Sequence, residues 1–187
     1  MENIAYTDQP ATQESKRIHP HKFTLWLALG SIVMMFAGMT SAYIVKRNQV
    51  NWQGFELPVI FWYSTATIVA SSFAIQFAVK AFKDRQMGRY RQLIGLTAVL
   101  GVAFIAMQWI GFTNLNDRGI KLIGQGSNVS GSFLFAITAL HMAHVLGGII
   151  AIFIMLGQAF RRSRRSYSVV PVDNMATYWH FVDALWI

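Results

Sequence analysis

Four ionisable side chains stand out because the stretches that carry them are too apolar to solvate them. His141 and His144 fall inside FLFAITALHMAHVLGG, residues 133–148, and His180 and Asp183 inside YWHFVDALWI, residues 178–187. Each pair is spaced i, i+3, which on a helix places both members on one face. An ionisable group at bilayer depth costs about 3 kcal/mol on insertion scales, so each is a functional candidate by default. Three chemistries suit them. If the two pairs meet, three imidazoles and one carboxylate make a workable metal set. Against this, metal sites in helical bundles draw carboxylates from several helices, and the first three apolar segments contain no acid within their spans. Alternatively, two histidines could ligate a haem from facing helices; His141 and His144 share one segment, leaving only His180 to oppose them. In the third reading the groups are satisfied polar pairs. His180 then donates to Asp183 or to a neighbour, and the other two histidines bond to another helix or to a lipid head group. From physical chemistry alone the third reading leads. Cysteine is absent, so no disulfide, thiolate metal site or iron–sulfur cluster belongs to this chain.

The elements that hold these residues follow from composition. Of 187 residues, 54% are hydrophobic and 13% charged, far from the balance of a water-soluble domain. Runs of about twenty apolar residues mark membrane-spanning helices. Four are legible, near residues 23–45, 57–79, 93–113 and 133–157, with a fifth near 175–187. The chain is thus predicted to be an all-α integral membrane protein, a bundle of five transmembrane helices. A polar tail, residues 1–21, precedes a single transmembrane domain, residues 22–187. The stretch from Asn174 to Ile187 gives only about 21 Å of helix against a hydrocarbon core of about 30 Å, so the last span is expected to be incomplete. Pro171, Asp173 and Asn174 read as the turn and N-cap that open it.

The net charge of +8 does not indicate nucleic acid, because it sits in the loops. With the N-terminus cytoplasmic, twelve of the sixteen Lys and Arg residues fall inside and four outside, giving an N-in, C-out orientation by the positive-inside rule. Arg161, Arg162, Arg164 and Arg165 then serve as a topology anchor beside anionic lipid heads. Small residues at Gly38 with Ala42, at Ala66 with Ala70 and Ala74, and at Gly147 with Ala151 have the small-xxx-small spacing of close helix contacts. Most of the six tryptophans, Trp179 among them, lie near segment ends, where indoles anchor to the interface.

Two of these segments, with a third, carry a resemblance. GSFLFAITALHMAHVLGG, residues 131–148, and YWHFVDALWI together resemble subunit III of the haem-copper respiratory oxidases, the cytochrome c and quinol oxidases. The matching positions are Gly131, Ser132, Thr138, His141, His144, Val145 and Gly148, then Tyr178, Trp179, His180, Phe181, Val182, Asp183 and Trp186. MMFAG, residues 34–38, is similar to the family's first matching helix. The resemblance implies the five-helix bacterial form of a supporting, non-redox subunit with no catalytic centre, in a multi-pass arrangement in a bacterial plasma membrane. Haem and copper are then expected in partner subunits, none on this chain, with bound phospholipid. The implied partners are the catalytic subunit I, subunit II, subunit IV, membrane lipids and a larger respiratory supercomplex. His141, His144, His180, Asp183, Trp179 and Arg161 become candidates for packing and lipid contact. The rival from another class is an autonomous membrane metal- or haem-binding enzyme built on His141, His144, His180 and Asp183. In one departure, the family usually carries an acid where this chain has Ile32, so a carboxylate pair with Asp183 cannot form. In another, this chain lacks the two N-terminal helices of the longer form.

Overall fold

The computed structural model describes residues 20–48, 52, 56–120, 122–124, 127, 129–160 and 169–187. Residues 1–19 of the expected tail, and the arginine run with Arg161, lie outside the described residues. Among the described residues there are five helices: α1 (Pro20–Arg47), α2 (Ile60–Lys83), α3 (Met87–Asp117), α4 (Val129–Phe160) and α5 (Val170–Trp186). α1, α3 and α4 extend past both ends of the apolar runs that mark them, α2 past the end of its run, and α5 begins before its run. An apolar run reports only the part immersed in oil, whereas backbone bonding continues through the interface, where lysine and arginine are solvated. The 31 residues of α3 make a rod of about 46 Å, longer than the hydrocarbon core of about 30 Å.

The start of α5 differs from the Asp-Asn cap expectation. The helix begins at Val170, with Val169 at the cap and no side-chain cap bond. Pro171 lies in the first turn, where its missing N–H would have no helical acceptor in any case. Asp173, in that same turn, pairs instead with Lys83 at 3.0 Å and ties the start of α5 to the end of α2. Both side chains are partly exposed, so this pair contributes at most about 1 kcal/mol. The 17 residues of α5 extend about 25 Å.

α2 and α3 join through a three-residue reversal. Arg85 takes φ 57°, while Gln86 N–H bonds to Ala81 O and Arg85 N–H to Phe82 O. That is the Schellman closure, with arginine in the seat glycine usually fills. It lays α3 back along α2, and these two helices share the most extensive packing. α5 lies against both α2 and α4, and α4 against α3; α1 leans on α4 and α5 and touches neither α2 nor α3. The core between α2, α3, α4 and α5 is built from Ile68, Ile75, Ile94, Phe104, Val145, Ile152 and Trp179. Outside it, Trp26, Met34, Trp62, Val99, Trp109 and Ile150 are exposed. So continuous an apolar surface suits hydrocarbon and not water. Four helices, α1 to α4, are long and apolar enough to cross a membrane, and the chain is a membrane protein.

The small-residue spacings are only partly used. Gly38 and Ala42 are exposed, and a Cβ on Gly38 would meet nothing within 4 Å. Ala66 and Ala70 are exposed as well, with Ala74 buried. A Cβ on Gly147 would meet only the Tyr178 hydroxyl, at 3.9 Å. The close approaches occur at Gly101, Gly111 and Gly148, where a Cβ would stand 2.9 Å from an aromatic ring. Those glycines accommodate rings, not other small residues, so a rule about paired small residues does not find them.

Candidate interhelical polar site

The candidate residues of α5 meet a face of α2 that carries hydroxyls. Ser64 and Ser71 form one column at seven-residue spacing, Thr65 and Ser72 another. Ser64 and Thr65 both donate to Phe61 O, at 2.8 and 2.9 Å, and Ser71 donates to Ile68 O at 2.7 Å. A hydroxyl turned back onto its own helix has used its only hydrogen, and its lone pairs then face outward. Each accepts from another helix. Trp179 Nε1–H bonds to Ser71 Oγ at 3.0 Å, Trp186 Nε1–H to Thr65 Oγ1 at 2.9 Å, and Gln108 Nε2–H to Ser64 Oγ at 2.8 Å.

Trp179 is fully enclosed, 1% exposed. Its ring lies between α3 and α4, 2.9 Å from where a Cβ would stand on Gly101 and 2.9 Å from one on Gly148. This corrects the expectation of an interfacial anchor: the indole is a core wedge whose one polar atom is met by Ser71. Trp186 is also drawn inward, its ring 5.1 Å from Phe104 and 5.2 Å from His141. Trp26, Trp62 and Trp109 are exposed, as anchors would be.

His180 bonds to α2 on both sides and not to Asp183. Its Nε2 faces Gln76 Oε1 at 3.1 Å, and its Nδ1 faces the Ser72 hydroxyl. Opposite an amide oxygen, Nε2 must carry the hydrogen, so Nδ1 accepts from Ser72. Asp183 is 4% exposed, and neither of its oxygens has a hydrogen-bond partner.

On α4 the two histidines part ways. His144 turns its Nδ1–H onto Leu140 O of its own helix at 2.8 Å, and its carbonyl accepts from Tyr178 Oη–H at 3.0 Å. His141, 1% exposed, is walled by Phe36, Phe104 and Trp186, and neither ring nitrogen has a partner. Among the described residues it therefore meets no polar group of another helix. The aromatic cage was not legible from the sequence.

These residues do not fit a metal or a haem. His180 has both ring nitrogens engaged, His144 donates to its own backbone, and His141 is enclosed by aromatic rings. Among the described residues no three His, Cys, Asp or Glu side chains are grouped to hold a metal ion. The α2 hydroxyls are the part of the site that the ionisable residues alone do not point to. Their signal was the double seven-residue spacing, 64 with 71 and 65 with 72.

These bonds fasten one helix of a membrane bundle to another. Comparison with known proteins supplies the class. The family model for cytochrome c oxidase subunit III matches residues 21–187. Among relatives, the cytochrome c oxidase subunit 3 of Bacillus sp. (strain PS3) is 24% identical, over 98% of this chain and 87% of that protein. A probable cytochrome c oxidase subunit 3 from Nocardia farcinica is 29% identical over 95% and 92%. One from Mycobacterium tuberculosis (strain ATCC 25618 / H37Rv) is 28% identical over 94% and 91%. The chain belongs to the cytochrome c oxidase subunit III family. It is a supporting subunit of a terminal oxidase, in complex with other oxidase subunits, and the reading as an autonomous metal or haem enzyme is not supported.

Proposed function

We propose that this chain is the non-redox third subunit of a proton-pumping oxidase that reduces oxygen to water in a bacterial plasma membrane. It packs on the catalytic subunit I, with subunits II and IV in the same complex and a respiratory supercomplex as the larger assembly. Haem and copper belong to those partners. Residues 22–187 act as one transmembrane domain in which α5 is the fifth span, with the N-terminus inside and the C-terminus outside. The lysines and arginines at the α2–α3 reversal, Lys80, Lys83, Arg85, Arg89 and Arg91, support that orientation. Trp179, His180 and Asp183 are structural, holding α5 in the bundle. Phospholipid contact falls to Arg161 and to the half-buried His144, since His141 is enclosed.

The observation that carries this reading is that Trp179, Trp186 and His180 are all bonded to α2. The test is gentle purification from the native membrane through a tag on this chain. A haem-bearing large subunit in stoichiometric amount is the expected companion, and recovery of the chain alone under conditions that keep the oxidase active would contradict it.

A further inference from the structure

Gln76 is where the polar network between α5 and α2 comes to the surface. It lies four and a half residues beyond the middle of α2, about 7 Å along the axis and within a hydrocarbon half-thickness of about 15 Å. Its oxygen is held by His180. The residue is exposed, and among the described residues His180 is its one hydrogen-bond partner. An exposed hydroxyl at this depth can return its hydrogen to its own helix, as Thr67 does to Tyr63 O at 2.9 Å. A glutamine amide whose oxygen is already engaged keeps two donors that must find acceptors elsewhere. Against acyl chains they would carry the full cost of an unpaired polar group.

The surroundings separate this face from the others. Phe73 and Phe77, 64% and 58% exposed, lie one turn before Gln76 and directly after it. α1 packs on α4 and α5 and touches neither α2 nor α3. The central exposed positions of α3 and α4, such as Val99 and Phe153, are apolar and suited to lipid.

We infer that the α2/α5 face centred on Gln76 and His180 is the docking surface for a membrane-spanning helix of the haem-bearing partner subunit. That helix presents a hydrogen-bond acceptor at the depth of Gln76. Acyl chains have no acceptor, and lipid head groups lie outside the hydrocarbon region, so complementarity selects a protein helix. This inference rests on the supporting-subunit reading and adds which face is used and by what chemistry.

The experiment places a photoreactive benzophenone side chain at Phe73 or Phe77, and for comparison at Val99 or Phe153, in the intact oxidase in native membranes. Cross-links to the haem-bearing subunit are expected from Phe73 and Phe77, with lipid adducts alone from the other two. Cross-links to that subunit from Val99 or Phe153, lipid adducts alone from Phe73 and Phe77, or a dimer of this chain linked through Phe77 would each overturn the assignment. If no haem-bearing subunit accompanies the chain, the supporting-subunit reading falls instead. As a second measurement, Gln76→Leu should speed loss of the partner in mild detergent roughly tenfold; an unchanged rate overturns the role of the amide.

Discussion

At Gly148 the fit of the bundle is decided by a single hydrogen atom. An alanine Cβ there would stand 2.9 and 3.0 Å from the Trp179 ring and 3.2 Å from Tyr178. The indole cannot retreat, because Gly101 bounds it on the other side and Ser71 holds its N–H. Gly148→Ala should therefore cost about 1–3 kcal/mol by overpacking. Gly147→Ala, one residue away, should be neutral or stabilising by up to about 1 kcal/mol, since alanine is the better helix former. Thermal unfolding of the two variants in the purified complex checks the difference in sign. Asp183 poses the complementary question. It is buried without a hydrogen-bond partner, and no cation pairs with it among the described residues. Asn at this position keeps the shape, so Asp183→Asn should assemble normally and pump protons normally. Normal assembly with failed pumping would show that the carboxyl takes part in proton movement. The sequence made Asp183 and His180 visible as an anomaly, but it could not say that the histidine's partners lie 108 and 104 residues away on α2.

Helices were the most legible part of the molecule, because an apolar run of sufficient length in this composition has few alternatives. Their ends were less so. Capping and interfacial turns depend on solvation of lysine and arginine and on tertiary pairs such as Lys83 with Asp173, which leave no periodic trace. The face of α2 that receives α5 lay between these extremes. Hydroxyls are common in membrane helices, and only the donors opposite them turn two columns of Ser and Thr into a docking ladder. Removing three rungs with Thr65→Val, Ser71→Ala and Ser72→Ala should loosen α5 by about 2 kcal/mol in sum, at roughly 0.6 kcal/mol for each interhelical bond in lipid. Proteolysis near the α5 end of the purified complex should then become faster than in the parent. Equal resistance would mean that the ring packing of Trp179 alone holds the helix.

For the molecule as a whole, the polar groups within the bilayer hold segments of protein to one another. On the proposed reading, redox chemistry belongs to the rest of the oxidase. The family is evident from the text of α4 and α5, whereas the way those helices close is a matter of rings against glycines and indoles against hydroxyls. The most direct measurement is a visible absorption spectrum, with metal analysis, of this chain separated from its partner subunits in detergent while its helical circular dichroism is retained. The expected result is no Soret band and no stoichiometric metal. A haem band or a bound transition metal on the isolated, folded chain would contradict the account.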